Sequence, residues 1–382
     1  MSRLPSQARV LKQWSSVVLL GEVFMQCCIV HVGMHKTGGS SIQRTLFREL
    51  RDSRFRYLDL GHENHNGPLA TAFLAAPEKY HLNRKLGLDA AAVQGERQRL
   101  RQQLDRELQS DAEIGIISGE DISGLLSPGE VSDLHSTISK HVCDVVAVGY
   151  VRPPFGFMES LFQQVVKSSE ARDFDVGRYY PQYLKRFRKF DQIFGRKNVL
   201  LWPFSSRDFP GGCVVRDFSK RVGATIPESD IHRVNEAIPR EALSLLFIYR
   251  KFGPGYGIGP NVVRENNNLI MALMRIGGPK LRLSSSLIKP VIEQNAADLA
   301  WMEERLGVSL DEGDRADDDD AIRNEGDLLQ VKPDTLRWLS EQLEGSDVRS
   351  LPSPRDFYAI AQLVHQLRDK VNKVHGTSIK RN

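Results

Sequence analysis

The feature that most constrains this chain is the stretch from Cys28 to Gln43, which has the pattern of a strand, a glycine turn and a helix start. Residues 28–32 are mostly apolar and rich in β-branched side chains, and residues 33–39 contain three glycines. An apolar spacing typical of a helix follows at Ile42, Leu46 and Leu50. In such a unit the loop N–H groups converge, and the helix dipole adds roughly half a positive charge. The stretch therefore predicts a cradle for an anion.

The rest of the chain alternates strand patterns with helix patterns up to about residue 225. Strands are predicted at 54–60, 113–118, 144–151 and 198–202, and helices at 42–50, 69–76, 96–108, 129–140, 155–167, 179–194 and within 210–222. This alternation predicts an α/β fold with a doubly wound, mostly parallel sheet and a P-loop-like phosphate loop. Beyond residue 226 the patterns predict a helical C-terminal extension, with helices at 241–250, 266–276, 289–306, 333–344 and 355–373.

The same patterns predict the domain organisation. Residues 25–310 are expected to form one α/β domain, with a core at 28–225 and a helical part at 226–310. An acidic linker is predicted at 311–332 and closing helices at 333–382. Residues 1–24 are expected to be a poorly ordered extension or the product of an upstream start codon, because Glu22 interrupts their apolar run and Met25 is a natural start.

Composition excludes several classes of function. The formal net charge is only +4, so the whole chain is not predicted to bind nucleic acid. Its four cysteines include no C-x-x-C pair, which predicts free thiols in a reducing, cytoplasmic compartment and no structural metal site. No run of about twenty apolar residues occurs, so no membrane span is predicted.

The loop frame Gly33-x-x-x-x-Gly38-Gly39-Ser40 is close to the phosphate loop of NTPases, G-x-x-x-x-G-K-[ST]. Gly39 occupies the lysine position of that motif, and the lysine lies three residues earlier, at Lys36. The NTPase lysine contacts the β- and γ-phosphates, and its hydroxyl neighbour binds magnesium. The displaced lysine therefore predicts a different anion, although a nucleotide kinase or other NTPase remains the first alternative.

Residues 33–41, Gly-Met-His-Lys-Thr-Gly-Gly-Ser-Ser, resemble the 5′-phosphosulfate loop K-[ST]-G-T-[ST] of sulfotransferases, with Gly39 in place of the usual first threonine. The family's second recognition element is an arginine at a strand end and a serine about eight residues on, which Arg152 and Ser160 resemble. Residues 194–199, Phe-Gly-Arg-Lys-Asn-Val, resemble the segment before the last strand of bacterial members. The resemblance covers roughly residues 28–225. It implies a bacterial-type sulfotransferase that uses 3′-phosphoadenosine 5′-phosphosulfate (PAPS) and needs no metal.

The resemblance also implies roles for individual residues. Lys36 is expected to stabilise the leaving oxygen, and Arg152 with Ser160 to bind the 3′-phosphate, because a guanidinium matches phosphate oxygens. The residues expected to hold the 5′-phosphate are Lys36, Thr37, Gly38, Gly39, Ser40 and Ser41.

The acceptor hydroxyl needs a base. Sulfotransferases of this kind use a histidine or a glutamate as the base, and this chain has one residue of each type after a predicted strand. His65 is favoured for the ordinary pKa of imidazole, and Glu120 is the alternative. His31 and His35 are expected to pack or to hydrogen-bond locally.

The acceptor and the assembly are less constrained by the sequence. The partner is expected to be a hydroxyl-bearing acceptor, with a saccharide as the default by family analogy. The oligomeric state is left open. A second alternative is a degenerate sulfotransferase fold that only binds, because Gly39 and the two prolines after Arg152 depart from the usual pattern.

Overall fold

The structure is a computed structural model, and it describes residues 25–168, 173–234, 238–313, 320–343 and 352–378. A five-stranded sheet lies at its centre, in the order β2-β3-β1-β4-β5, and every neighbouring pair is parallel. The strands are β1 (Cys27–His31), β2 (Phe55–Tyr57), β3 (Ile114–Ser118), β4 (Asp144–Val151) and β5 (Val199–Pro203). The predicted α/β class with a doubly wound parallel sheet is therefore confirmed.

Helices cover both faces of this sheet. They are α1 (Gly39–Glu49), α2 (Asn66–Phe73), α3 (His81–Lys85), α4 (Ala90–Leu108), α5 (Asp121–Leu125), α6 (Pro128–Ile138), α7 (Pro154–Ser168), α8 (Tyr183–Phe190) and α9 (Val214–Val222). Cys27 and Ile29 of β1 pack in a cluster with α1 and α9, whereas Cys28 and Val30 pack in a larger cluster with the other helices. Because both faces are buried, the strands are nearly continuous apolar runs, as their sequence indicated.

One predicted helix is divided in the structure. Residues 179–194 were expected to form a single helix, but α8 begins only at Tyr183 and ends at Phe190. A 3-10 turn, Val176–Tyr179, precedes it and a π-helical turn, Asp191–Gly195, follows it. Pro181 lacks the N–H that a continuing helix needs, and Gln182 has a left-handed backbone with φ of 53°. The helix therefore starts two residues after the proline.

The C-terminal part of the chain is helical, as predicted. Its helices are α10 (Arg240–Phe252), α11 (Val262–Leu273), α12 (Ser285–Gln294), α13 (Ala296–Leu306), α14 (Glu325–Leu329), α15 (Pro333–Glu341) and α16 (Phe357–Ser378). The predicted helix 289–306 is broken at Asn295, whose side-chain amide donates to the Val291 carbonyl at 2.7 Å. Asparagine competes for backbone hydrogen bonds in this way and so ends helices.

Within the predicted acidic linker, 311–332, the structure describes residues 311–313 and 320–332, and residues 314–319 lie outside the described residues. Asp311 and Asp320 are exposed. Ile322 and Leu328 are buried in the main core, and Ile322 forms a parallel bridge with Leu283. The second half of this range therefore packs against the rest of the chain, while the domain division itself stays a prediction.

Two further predictions concern the N-terminus and the membrane. Residues 1–24, predicted as an extension, also lie outside the described residues. Within the described ranges, every helix is either too short or too polar to cross a bilayer.

Helix α16 packs on the core, and this packing generates a stability prediction. Ile360 is buried in the core where α16 packs against α10, α11 and α15, whereas Gln362, two residues away, is exposed. Ile360→Ala should lower the free energy of unfolding by about 2–5 kcal/mol, because it leaves a cavity. Gln362→Ala should change it by less than about 0.5 kcal/mol. Urea unfolding of both variants measures the difference, and equal small effects would mean that α16 is not part of the folded core.

Candidate functional site

The predicted anion loop follows β1, the middle strand of the sheet. The connection after β1 runs toward the β2 edge and the connection after β3 runs toward the β5 edge, so the strand order reverses beside β1. Strands β3 and β4 flank β1, and the carboxyl ends of all three meet there. Ligands of open α/β sheets bind in the crevice at such a switch point. Helix α1 begins at Gly39, so the positive end of its dipole lies at the same place. The sheet topology and the helix therefore support the same location for an anion.

The loop backbone has an unusual conformation. Gly33 and Gly38 have φ of 93° and 81°, and Lys36 has φ of 63°, which non-glycine residues rarely adopt. A Cβ at Gly33 would lie 2.8 Å from the Cα atom of Glu120, so the end of β3 leaves no room for a side chain there. Thr37 is buried, and its hydroxyl donates to the Met34 carbonyl at 2.6 Å. This hydroxyl therefore braces the loop from within.

Arg152 lies at the carboxyl end of β4 and points at the loop. Its Nη1 donates to the carbonyl of Lys36 at 2.6 Å, across 116 positions of the sequence. The Tyr183 hydroxyl holds the backbone of Arg152 by donating to its carbonyl, also at 2.6 Å. Ser160 follows two turns into α7, which begins at Pro154. The two segments that the sequence singled out therefore meet.

Most of the predicted site residues line one cleft of about 670 Å³. These are Lys36, Gly38, Gly39, Ser40, Ser41, Glu120, Arg152 and Ser160. Ser41 also accepts a hydrogen bond from the Val234 amide at 3.0 Å, which ties the first turn of α1 to a distant segment.

Two predicted residues do not line this cleft: Thr37, whose hydroxyl is used inside the loop, and His65. The His65 ring is buried, stacks on Tyr57 at 4.6 Å and accepts a hydrogen bond from the Ser118 amide through Nδ1 at 3.2 Å. Burial lowers the pKa of His65 to about 3. His65 is therefore a neutral, buried side chain that is hydrogen-bonded to the backbone of β3.

The cleft contains a histidine–aspartate pair that sequence reasoning missed. His35 Nε2 lies 2.6 Å from Asp121 Oδ1, and the Tyr80 hydroxyl donates to Asp121 Oδ2 at 2.8 Å. Burial raises the pKa of Asp121, but the hydrogen bond and charge of His35 outweigh it and leave this pKa below its ordinary value. The sequence positions of the pair could have indicated it. His35 is in the loop after β1 and Asp121 follows β3, so both lie at the same edge of the sheet.

The other histidine of this region behaves as expected. His31 is buried in β1, and its Nδ1 lies 2.7 Å from the hydroxyl of Ser118. Burial lowers the pKa of His31 to about 4. It therefore belongs to the core and not to the cleft.

The C-terminal part of the chain also reaches the cleft. Lys280 and Arg282 line it, and Arg282 Nε lies 3.5 Å from Glu159 Oε1. The Leu283 amide donates to the same carboxylate oxygen at 2.9 Å. No motif in the sequence indicated these residues, because they follow a helical region with no strand pattern.

A carboxylate from the predicted linker lies beside Arg152. Glu312 Oε2 accepts a hydrogen bond from the Gly156 amide, in the first turn of α7, at 2.8 Å. The position of a Cβ on Gly156 would be 3.1 Å from Glu312 Oε1 and 3.2 Å from Arg152 Nε, so the two side chains flank one point. The Glu312 carboxylate is therefore an anionic neighbour of Arg152 that the chain itself supplies.

Among the described residues, no three His, Cys, Asp or Glu side chains come together in a way that could hold a metal ion.

Comparison with protein-family models and with curated protein sequences gives no match. Among solved structures, the chain is similar to a sulfotransferase from Alicyclobacillus acidocaldarius, with 17% identity over 61% of this chain and 95% of that one, at a TM-score of 0.35. It is also similar to the sulfotransferase domain from the curacin biosynthetic pathway, with 10% identity over 72% of this chain and 99% of that one, at a TM-score of 0.30. Similarities at these TM-scores carry no argument about activity. The α/β class rests on the strand pairing of the chain itself.

Proposed function

We propose that this chain is a sulfotransferase that moves a sulfuryl group from PAPS to a hydroxyl acceptor. One observation supports the proposal above all others: the guanidinium of Arg152 contacts the loop at the Lys36 carbonyl. A donor nucleotide with phosphates at two places needs two anion-binding segments within reach of each other. The loop after β1 and the end of β4 meet this requirement in one cleft.

The residues present fit such a nucleotide. At one end, Lys36, the hydroxyls of Ser40 and Ser41, and the N-terminus of α1 offer donors to a 5′-phosphosulfate. At the other end, Arg152 and Ser160 offer donors to a 3′-phosphate. The Thr37 hydroxyl braces the loop through the Met34 carbonyl and is not one of these donors.

In the proposed mechanism, PAPS supplies the activated sulfuryl group when it is bound. The ammonium of Lys36 stabilises the negative charge that develops on the leaving oxygen, as cations do in phosphoryl transfer. The base that receives the acceptor proton is Glu120 and not His65. Glu120 lines the cleft, whereas His65 is buried and its Nδ1 is hydrogen-bonded to a backbone amide. The acceptor is proposed to be a polar molecule such as a saccharide, and the compartment to be the cytoplasm.

The NTPase alternative has one observation in its favour. Glu120 and Asp121 follow β3, the neighbour of β1, which is where a magnesium-organising carboxylate would be needed. Asp121, however, is hydrogen-bonded to both His35 and Tyr80. The cation of the loop is Lys36, and Gly39 stands where an NTPase has its lysine.

A ligand comparison separates the two functions. The product nucleotide 3′-phosphoadenosine 5′-phosphate (PAP) should raise the melting temperature, and ATP with magnesium should raise it less. Arg152→Ala should weaken PAP binding roughly 10- to 100-fold, because it removes charge-assisted hydrogen bonds worth about 1.5–3 kcal/mol. Arg178→Ala, at an exposed arginine outside the cleft, is the control and should leave calorimetric PAP affinity unchanged. Stronger stabilisation by ATP with magnesium would favour the NTPase.

A second experiment assigns the chemical roles. Transfer from radiolabelled PAPS to a panel of saccharide and phenolic hydroxyls should fall roughly 10²- to 10³-fold in Lys36→Met. It should fall roughly 10²- to 10⁴-fold in Glu120→Gln. Both variants should keep the wild-type circular dichroism.

His65→Asn is the comparison for the base. It should lower stability more than chemistry, because the ring is buried. Loss of transfer in a folded His65 variant, with activity kept in Glu120→Gln, would exchange the two assignments. PAP binding without transfer to any hydroxyl would favour the binding-module alternative.

The position of Glu312 generates a third prediction. A phosphate beside Arg152 would meet the Glu312 carboxylate, so removing that charge should help binding. Glu312→Gln should bind PAP roughly 3- to 10-fold more tightly, because like charges repel and the amide can still accept from Gly156. Asp311→Asn makes the same charge change on the exposed neighbour and is the control. Equal PAP affinity in the two variants, measured by calorimetry, would place the 3′-phosphate away from Glu312.

A further inference from the structure

The carboxylate of Glu120 is held by the helix that starts the anion loop. Gln43, on the second turn of α1, donates from Nε2 to Glu120 Oε2 at 3.0 Å. The same nitrogen donates to the Ser118 carbonyl, at the end of β3, at 3.3 Å. Gln43 is 1% exposed, so water does not compete well for these bonds. One buried amide therefore joins α1, the end of β3 and the carboxylate.

Gly39 provides the space in which this carboxylate lies. A Cβ on Gly39 would be 2.7 Å from Glu120 Oε2, closer than a carbon and an oxygen can pack. The atom in conflict is the far end of a flexible side chain, so the fold could accept a Cβ here if the carboxylate moved. Gly39 is also the first residue of α1 and is not among the glycines with positive φ. Space for Glu120, not backbone conformation, is therefore the reason for glycine at this position.

The other side of Glu120 is equally close to the loop. A Cβ on Gly33 would lie 2.8 Å from both Cα and Cβ of Glu120. Two glycines of the anion loop thus leave room for one glutamate, Gly33 for its backbone and Gly39 for its carboxylate. The glycine that departs from the usual sulfotransferase loop is one of the two.

We propose that Gln43 is a positioning residue for Glu120. We also propose that Gly39, which has no side chain, leaves the space in which this carboxylate can face the acceptor. The inference rests on the proposed function only in giving Glu120 the role of base. The loop lacks a threonine hydroxyl at position 39 and has a carboxylate beside that position instead. Gln43 is neutral and donates a hydrogen bond to the Glu120 carboxylate. This bond favours the deprotonated form, which is the form that can take a proton from the acceptor.

The other titratable groups around Glu120 come from four elements. Burial raises the pKa values of Tyr57, on β2, and of Tyr80, before α3. The charge of Glu120 raises both further, although at Tyr80 it contributes less than Asp121 does. Lys36 and His35, in the loop, and Asp121, at the start of α5, line the same cleft. Gln43 is the neutral side chain whose removal changes a hydrogen bond to Glu120 without changing any of these charges.

The experiment reads the titration of Glu120 directly. Protein labelled with ¹³C at glutamate carboxyls is titrated by NMR, without ligand and with PAP, and Glu120→Gln assigns the signal. Gln43→Met should raise the pKa of Glu120 by roughly half a unit to one unit, because the donor to the charged form is lost. The same substitution at exposed Gln94, on α4, is the control and should not move the signal.

A second pair of variants tests the gap. Gly39→Ala should keep the wild-type circular dichroism, because the atom that its Cβ displaces is the far end of a flexible side chain. Transfer should fall roughly 10- to 100-fold, because the carboxylate is displaced from its working position. Gly39→Thr, which restores the usual loop residue, should lower transfer at least as much.

The outcomes separate this inference from the proposed function. If wild-type protein does not bind PAP, the proposed function fails, while the titration without ligand still decides whether Gln43 controls Glu120. An unchanged Glu120 titration in Gln43→Met would overturn the positioning role. Wild-type transfer by Gly39→Thr would overturn the role of the gap. A raised pKa together with slow but PAP-saturable transfer in the Gly39 variants supports both.

Discussion

The contact between the Arg152 guanidinium and the Lys36 carbonyl joins the two halves of the site, and most of its geometry depends on it. Lys36, whose carbonyl accepts from Arg152, has a left-handed backbone in the loop that leads into α1. Arg152 is itself held by the Tyr183 hydroxyl. Loop, strand end and α8 are thus connected by two hydrogen bonds among three residues. A ligand that bridges loop and guanidinium would bind a cleft that is already assembled.

Several charges in and beside this cleft are paired within the chain. Asp121 contacts His35, Glu159 lies beside Arg282, and Glu312 caps α7 beside Arg152. Partly buried charges need such partners, because desolvation is costly and an unpaired charge is strongly destabilising. An anionic ligand would therefore have to compete with the ion pairs and hydrogen bonds that these groups already make. Selectivity in such a cleft depends on how well the ligand matches the donors that are released.

The carboxyl ends of the parallel strands explain why much of the site was predictable. Lys36 follows β1, Glu120 follows β3 and Arg152 follows β4, and parallel strands bring these ends to one edge of the sheet. The same reasoning does not place the His65 side chain: His65 follows the short edge strand β2, but its ring turns inward and accepts a hydrogen bond from the Ser118 amide. Proximity to a strand end decides where a residue lies, not where its side chain points.

The sequence by itself determined the strands, the anion loop and the residues at the strand ends, because apolar runs and glycine spacing act through local backbone preferences. Only the tertiary structure decided which polar groups are used within the chain and which face the cleft. Thr37 braces its own loop, His35 contacts a carboxylate 86 positions away, and Glu312 caps a helix 156 positions away. Such partners are set by the packing of distant segments, and no local pattern encodes them. The gap at Gly39 has the same origin, since its size is fixed by a side chain that arrives from β3.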